Sequence, residues 1–246
     1  MESVALPPDL PPAAARGIDM VVTALHSHLG PSLIGMLLFG SGAEGRLRPV
    51  SDVNLLAVVA GLDLAALIPA REALRSAEAL ARVRVMLLDA SEVADAVRAF
   101  PDKFDDILHR YTVVWGVHPF PDLRVDRDRL LERLDQVLLN QVLRLRGRAL
   151  VQGLREEQAV QLLAESAGPL RACAASLSGL TGVRRPPKEA LQAFVAVQAV
   201  AFEPLLGLLS KARESSQLPP GQAAPALEAC IGLTQALRRA VLEAKA

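Results

Sequence analysis

Apolar residues recur along this chain with two periods, and each change of period marks an element. In 10–29, Ile18, Val21, Val22, Leu25 and Leu29 fall three or four apart, the stripe of an amphipathic helix. Asp9 and Pro11-Pro12 suit its start, and Gly30-Pro31 its stop. Short apolar runs at 33–39, 53–59 and 82–88 have the length of buried strands, and YTVVWG at 111–116 reads as a strand or edge strand. Between them the spacing predicts a helix over 62–81, with Leu64, Leu67, Ala70, Leu74 and Leu80 inward. One or two short helices are expected over 90–109, broken at Phe100-Pro101.

Beyond Pro119 and Pro121 the pattern is helical throughout. Residues 117–125 read as a linker. Asp126 is placed to cap a helix over 127–152, with Leu131, Leu134, Leu138, Val142 and Leu145 as its stripe. Three further helical segments are expected at 156–177, 187–213 and 224–244, with a kink at Pro204. Four helices with short connections argue a bundle. The fold class is therefore α+β: a mixed-sheet domain flanked by helices over 1–118, then an all-α helical bundle domain over 126–246.

Composition narrows the picture. Half of the 246 residues are hydrophobic (51%) but only 3% are aromatic, so Leu, Val and Ala must fill the core. The formal net charge is zero, which argues against a nucleic-acid partner, since such proteins carry a basic surplus. MESVALPPDLPP lacks the basic and apolar regions of a secretory signal. The longest apolar stretch, 193–209, is interrupted by Gln198, Glu203 and Pro204, so no membrane span is expected. Cys173 and Cys230 each sit in an apolar helical pattern and read as buried thiols rather than a disulfide or metal pair. The expected compartment is the cytoplasm. His26 and His28 suit a helix C-terminus. His109 and His118 flank the 111–116 strand without acidic or Cys partners at a metal-ligand spacing. There is no internal repeat and no P-loop.

The chemistry gathers around one stretch. An apolar run ends in Gly40-Ser41; ten residues follow Ser41, and then Asp52-Val53-Asn54 opens the next apolar run. This resembles the signature of the nucleotidyltransferase superfamily, in which Gly-Ser is followed about ten residues later by Asp-x-Asp. Gly40, Ser41, Ser51, Asp52 and the run 55–58 carry the likeness. In addition, AFPDKFDDILHRYTVVWG at 99–116 resembles a stretch in a bacterial group of nucleotidyltransferase-like proteins with a helical C-terminal half.

The resemblance implies roles for named residues. Gly40 lets the backbone approach a phosphate, and the Ser41 hydroxyl adds a donor. Arg46 and Arg48 follow in the region where the family carries a basic residue, although Glu44 stands there too. Asp52 is the metal ligand. Two divalent ions clamp the reacting oxygens in such enzymes, and Asp at i and i+2 of a strand reach the same face. Here the second carboxylate position is Asn54, which keeps the shape and loses the charge. The third falls on the 82–88 strand, which contains no Asp or Glu. Its best equivalent is Arg84, or Arg82 if the register slips by two, with Asp89 a weak substitute at the strand end. A guanidinium there is expected to pair with Asp52 and occupy the space of a metal.

Two functions stay open at this point. The first is a nucleotide-binding or regulatory module with a degraded metal site and little or no transferase activity, needing no cofactor. The second is an active, atypical, Mg²⁺- and NTP-dependent transferase moving NMP to a small-molecule or protein hydroxyl. A nucleotide, an acceptor or protein partner, and a second copy of the chain through the bundle are the partners consistent with either.

Overall fold

The structure is a computed structural model that describes residues 6–48, 51–152 and 155–245. The opening residues 1–5, on which part of the leader reading falls, and residues 49–50 in the spacer of the signature lie outside it. The chain divides into two compact units, Met1–Val125 and Asp126–Ala246.

The first unit is built on a four-stranded sheet of order β3-β2-β1-β4. Helix α1 (Pro12–Leu29) leads into β1 (Leu33–Phe39). β2 (Val53–Val59) runs antiparallel to β1. Helix α2 (Arg71–Ala81) crosses over to β3 (Val83–Asp89), which lies parallel to β2. Helices α3 (Val93–Ala99) and α4 (Pro101–His109) lead to β4 (Tyr111–Gly116), antiparallel to β1 on its other side.

Strand alternation sorts the apolar residues to two faces. Leu38, Leu55, Ala57 and Val83 face one core with Ile18, Val21 and Leu25 of α1 and Ala77 of α2. Leu37, Phe39, Leu56 and Val58 face the other, with Val97 of α3, Phe104 and Ile107 of α4, and Phe120. Both faces are covered, which is why β1 and β2 read as unbroken apolar runs.

The structure departs from the sequence reading in three places. The helix expected over 62–81 is only Arg71–Ala81. Asp63 accepts from the Ala65 N–H at 2.8 Å in an Asx turn, and Pro69 sits in a 3₁₀ turn, Ile68–Ala70. Leu64, outside the helix, is consequently exposed, and Leu80 lies on the exposed side of α2. The third strand begins at Val83, because Arg82 is the left-handed C-cap of α2, with φ 54 and ψ 38. The helix expected over 187–213 is two helices. Pro204 lacks the N–H that would continue the ladder, so the chain breaks upstream of it, through a 3₁₀ turn at Val200–Phe202.

The second unit is all helical among its described residues: α5 (Arg127–Gln152), α6 (Glu156–Leu180), α7 (Pro187–Gln198), α8 (Glu203–Ser215) and α9 (Ala223–Lys245). Leu131, Leu134, Leu138, Val142 and Leu145 of α5 are buried. α6 packs against each of the other four helices, and Arg238 of α9 donates to Asp135 of α5 at 2.6 Å. No described helix is long and apolar enough to cross a membrane.

Candidate functional site

β1 delivers Gly40-Ser41 to the end of the sheet where β2 begins. The last β1–β2 pair is Phe39 opposite Asn54, so the Gly-Ser turn and Asp52 emerge at the same end. Gly40 has φ +72, a left-handed value that a side chain would strain. Its N–H donates to the Arg110 carbonyl at 2.9 Å, which ties the turn to the start of β4. The turn closes on itself as Ala43 N–H donates to Gly40 O (3.1 Å) and Arg46 N–H to Ser41 O (2.9 Å). Arg46 is exposed and Arg48 half-buried in the loop beyond. The Ser51 hydroxyl accepts from the Arg48 N–H at 3.2 Å, so it closes that loop.

Asp52 meets an arginine, and it is Arg82. The Arg82 Nε donates to Asp52 Oδ1 at 2.8 Å, with side chains 55% and 40% exposed. The expected pairing with Arg84 is corrected: Arg84 binds Glu78 of α2 instead. The register explains both contacts. Val83 lies opposite Val53, so the residues before each, Arg82 and Asp52, are neighbours. Arg84 lies opposite Asn54, but β3 is the sheet edge, and its long side chain turns round that edge to α2.

Arg82 is held at both ends of its backbone. Its N–H donates to Glu78 O at 2.7 Å, and its carbonyl accepts from Val53 N–H at 3.1 Å. Helix α2 therefore aims its C-terminus at the site. That end of the helix dipole is negative and favours a cation such as this guanidinium.

Glu44 is also partnered. Arg110 donates to Glu44 Oε2 through Nη1 at 3.0 Å and to Asp106 Oδ1 through Nε at 2.7 Å. Burial pushes the Asp106 carboxyl up, and the Arg110 charge opposes that. Glu44 thus carries a guanidinium with it. The repulsion expected between its charge and a bound triphosphate is correspondingly offset.

One row of residues crosses the sheet at this end: Arg84 on β3, Asn54 on β2, Phe39 on β1 and Tyr111 on β4. The row lies on the face that α3 and α4 cover further in. His118 packs edge-on against Tyr111 at 4.6 Å and against Phe120 at 5.2 Å. Its Nδ1 accepts from the Phe120 N–H at 3.3 Å, and desolvation pulls its pKa down. His26 lies against Trp115, and His109 Nδ1 against the Asp105 carbonyl.

These residues do not fit a two-ion metal site. Among the described residues no group of three or more His, Cys, Asp or Glu is placed to hold a metal. The Asp52 carboxylate is engaged by Arg82, and the neighbouring position is an amide. The sequence reading puts Arg84 first and Arg82 second for this pairing, and geometry gives it to Arg82; the Arg110–Glu44 contact is not anticipated there. One signal was available for Arg82. A helix ending at Ala81 directly before a strand leaves a single residue for the turn.

A comparison with solved structures finds the crystal structure of spectinomycin adenyltransferase AAD(9) from Enterococcus faecialis with ATP and spectinomycin, at TM-score 0.61 and 12% identity. The match covers 90% of this chain and 99% of that one. At that identity the likeness shows the fold, an α+β nucleotidyltransferase-like domain with a helical C-terminal region. No family profile matches the chain, and no curated protein matches it.

Proposed function

We propose that this chain, a nucleotidyltransferase by fold, works as a nucleotide-binding or regulatory module with little or no transferase activity. The observation that carries this reading is the Arg82–Asp52 pair at 2.8 Å. The one acidic residue of the signature spends its charge on a fixed guanidinium, beside an amide at Asn54. The Gly40-Ser41 turn and the arginines of its loop still offer donors to a phosphate. The structural neighbour holds ATP and spectinomycin, which supports a nucleotide, and a small molecule beside it, as ligands to try first.

The test is calorimetry with ATP, GTP, CTP and UTP, in Mg²⁺ and in EDTA, run beside a radiolabel-transfer assay. The expected result is binding of at least one nucleotide with similar affinity in both buffers, and no label on any acceptor. Binding that requires Mg²⁺, together with label transfer, overturns it.

One observation favours the alternative. Both partners of the Arg82–Asp52 pair are exposed by more than a third, and such a pair is worth only about 0–1 kcal/mol. A metal-laden triphosphate has little to displace. On this second reading the protein is an atypical transferase moving NMP from NTP to a small-molecule or protein hydroxyl, and label transfer is its signature.

A further inference from the structure

The row across the sheet changes character along its length. At one end Arg84 leans to Glu78, with the Arg82–Asp52 pair one step outward. Asn54 and Phe39 form the middle. At the other end stands Tyr111, 39% exposed, on the edge strand β4. The next row inward, Met86, Leu56, Leu37 and Val113, belongs to the core beneath α3 and α4. In the outer row Phe39 still belongs to that core, while Arg84 and Tyr111 are exposed and Asn54 is half-buried.

Tyr111 is held more firmly than an exposed aromatic on an edge strand needs to be. A chain of edge-on rings runs from the core outward: Phe104 to Phe120 at 6.4 Å, Phe120 to His118 at 5.2 Å, His118 to Tyr111 at 4.6 Å. Its backbone is fixed beside the Gly-Ser turn, because Phe39 pairs with Tyr111 and the Gly40 N–H donates to the Arg110 carbonyl. A ring fixed in advance loses little freedom when a ligand stacks on it. Any base presents a π-face to such a ring. From β3 to β4 is three inter-strand steps of about 4.8 Å each, the reach of a nucleoside phosphate laid across the strands.

The geometry points to Tyr111 as the stacking platform for the base of a nucleoside phosphate, with the Asn54 amide beneath the ligand and its phosphates toward the Gly40-Ser41 turn and Arg82. This rests on the nucleotide-binding reading above and adds where the base lies. It needs no metal. The charges near the phosphate end are already balanced in pairs, Glu44 with Arg110 and Asp52 with Arg82.

The chain holds one tyrosine, so ring-labelled tyrosine gives one unambiguous set of NMR signals. The parent protein is titrated in EDTA with AMP, with ATP and with inorganic triphosphate, and calorimetry is run on the parent, Tyr111→Leu and Tyr111→Phe. AMP and ATP are expected to move the tyrosine ring protons upfield to saturation, while triphosphate leaves them in place. Tyr111→Leu should weaken ATP about tenfold or more, leave triphosphate affinity unchanged, and be rescued by Tyr111→Phe. Tyrosine signals that stay still while calorimetry reports ATP binding overturn the platform and spare the nucleotide reading. Triphosphate moving the ring as far as ATP does also overturns it. If the parent binds no nucleotide at all, both readings fall. Should Tyr111→Leu not fold, the parent titration decides alone.

Discussion

At the scale of single residues, position 82 sets two demands against each other. Its backbone is left-handed (φ 54), a conformation costing a non-glycine residue about 1 kcal/mol. Its side chain makes an exposed ion pair worth about 0–1 kcal/mol. The two nearly cancel. Arg82→Gly should therefore unfold in denaturant within about 1 kcal/mol of the parent, while Arg82→Ala, which keeps the strain and loses the pair, should be the less stable of the two. Metal binding should follow charge in the same place. Asn54→Asp alone is expected to gain no Mn²⁺ in calorimetry, because the guanidinium stays beside Asp52. Asn54→Asp with Arg82→Asp, three carboxylates at one sheet end, is expected to bind it. Equal Mn²⁺ affinity in both variants removes Arg82 as the obstacle.

At the scale of elements, the far end of β3 is tied down by one carboxylate. Asp89 accepts from the Leu62 N–H at 2.6 Å and from the Ser91 N–H at 2.9 Å, holding the loop after β2 to the end of β3. Hydrogen bonds from Ser91, then from Leu62, lower its pKa from 3.8 to about 2. A carboxyl held below its unfolded value adds stability above that value, and the stability is lost as pH falls through the folded one. Asp89→Asn should be less stable at neutral pH and lose less on acidification from 3.8 to about 2, read by melting at stepped pH.

The strands of this sheet were legible because each is a compact apolar run between turn residues. Tyr111–Gly116 and Val53–Val59 match their expected bounds. The helix start after Asp63 was not, because Leu64 continues an apolar pattern that local turn chemistry interrupts; Pro204 announced a kink where the chain makes a full break. Gly40, Ser41 and Asp52 stood out because their spacing is local. The partners were less legible: Arg82, read as the second choice, reaches back 30 residues to Asp52, and Arg110, not read at all, reaches back 66 to Glu44. Such contacts depend on strand register and on which strand is an edge, and neither is written in any one segment.

At the scale of the whole molecule, each unit carries its own reporter. The single tryptophan, Trp115, lies in the first unit, and both cysteines lie in the second. Cys173 and Cys230 are buried, and burial pushes the Cys230 thiol up to about 12. The folded protein should leave both thiols unreactive toward a disulfide reagent at neutral pH. Since each unit buries a core of its own, we propose that they unfold separately. Tryptophan fluorescence and thiol exposure should then trace different midpoints in a denaturant series. Coincident curves would show that the two units unfold as one.

The left-handed cap at Arg82 also has a consequence for relatives of this chain. Drift from arginine to glycine there is downhill for the backbone and releases Asp52. Against that change stands the exposed pair with Asp52, worth about 0–1 kcal/mol. The residue at this position in a diverged copy is therefore a marker of the chemistry that copy has retained. On the reading proposed above, a copy with arginine at 82 and an amide at 54 is expected to bind nucleotide without Mg²⁺, and one with carboxylates at both positions to require it.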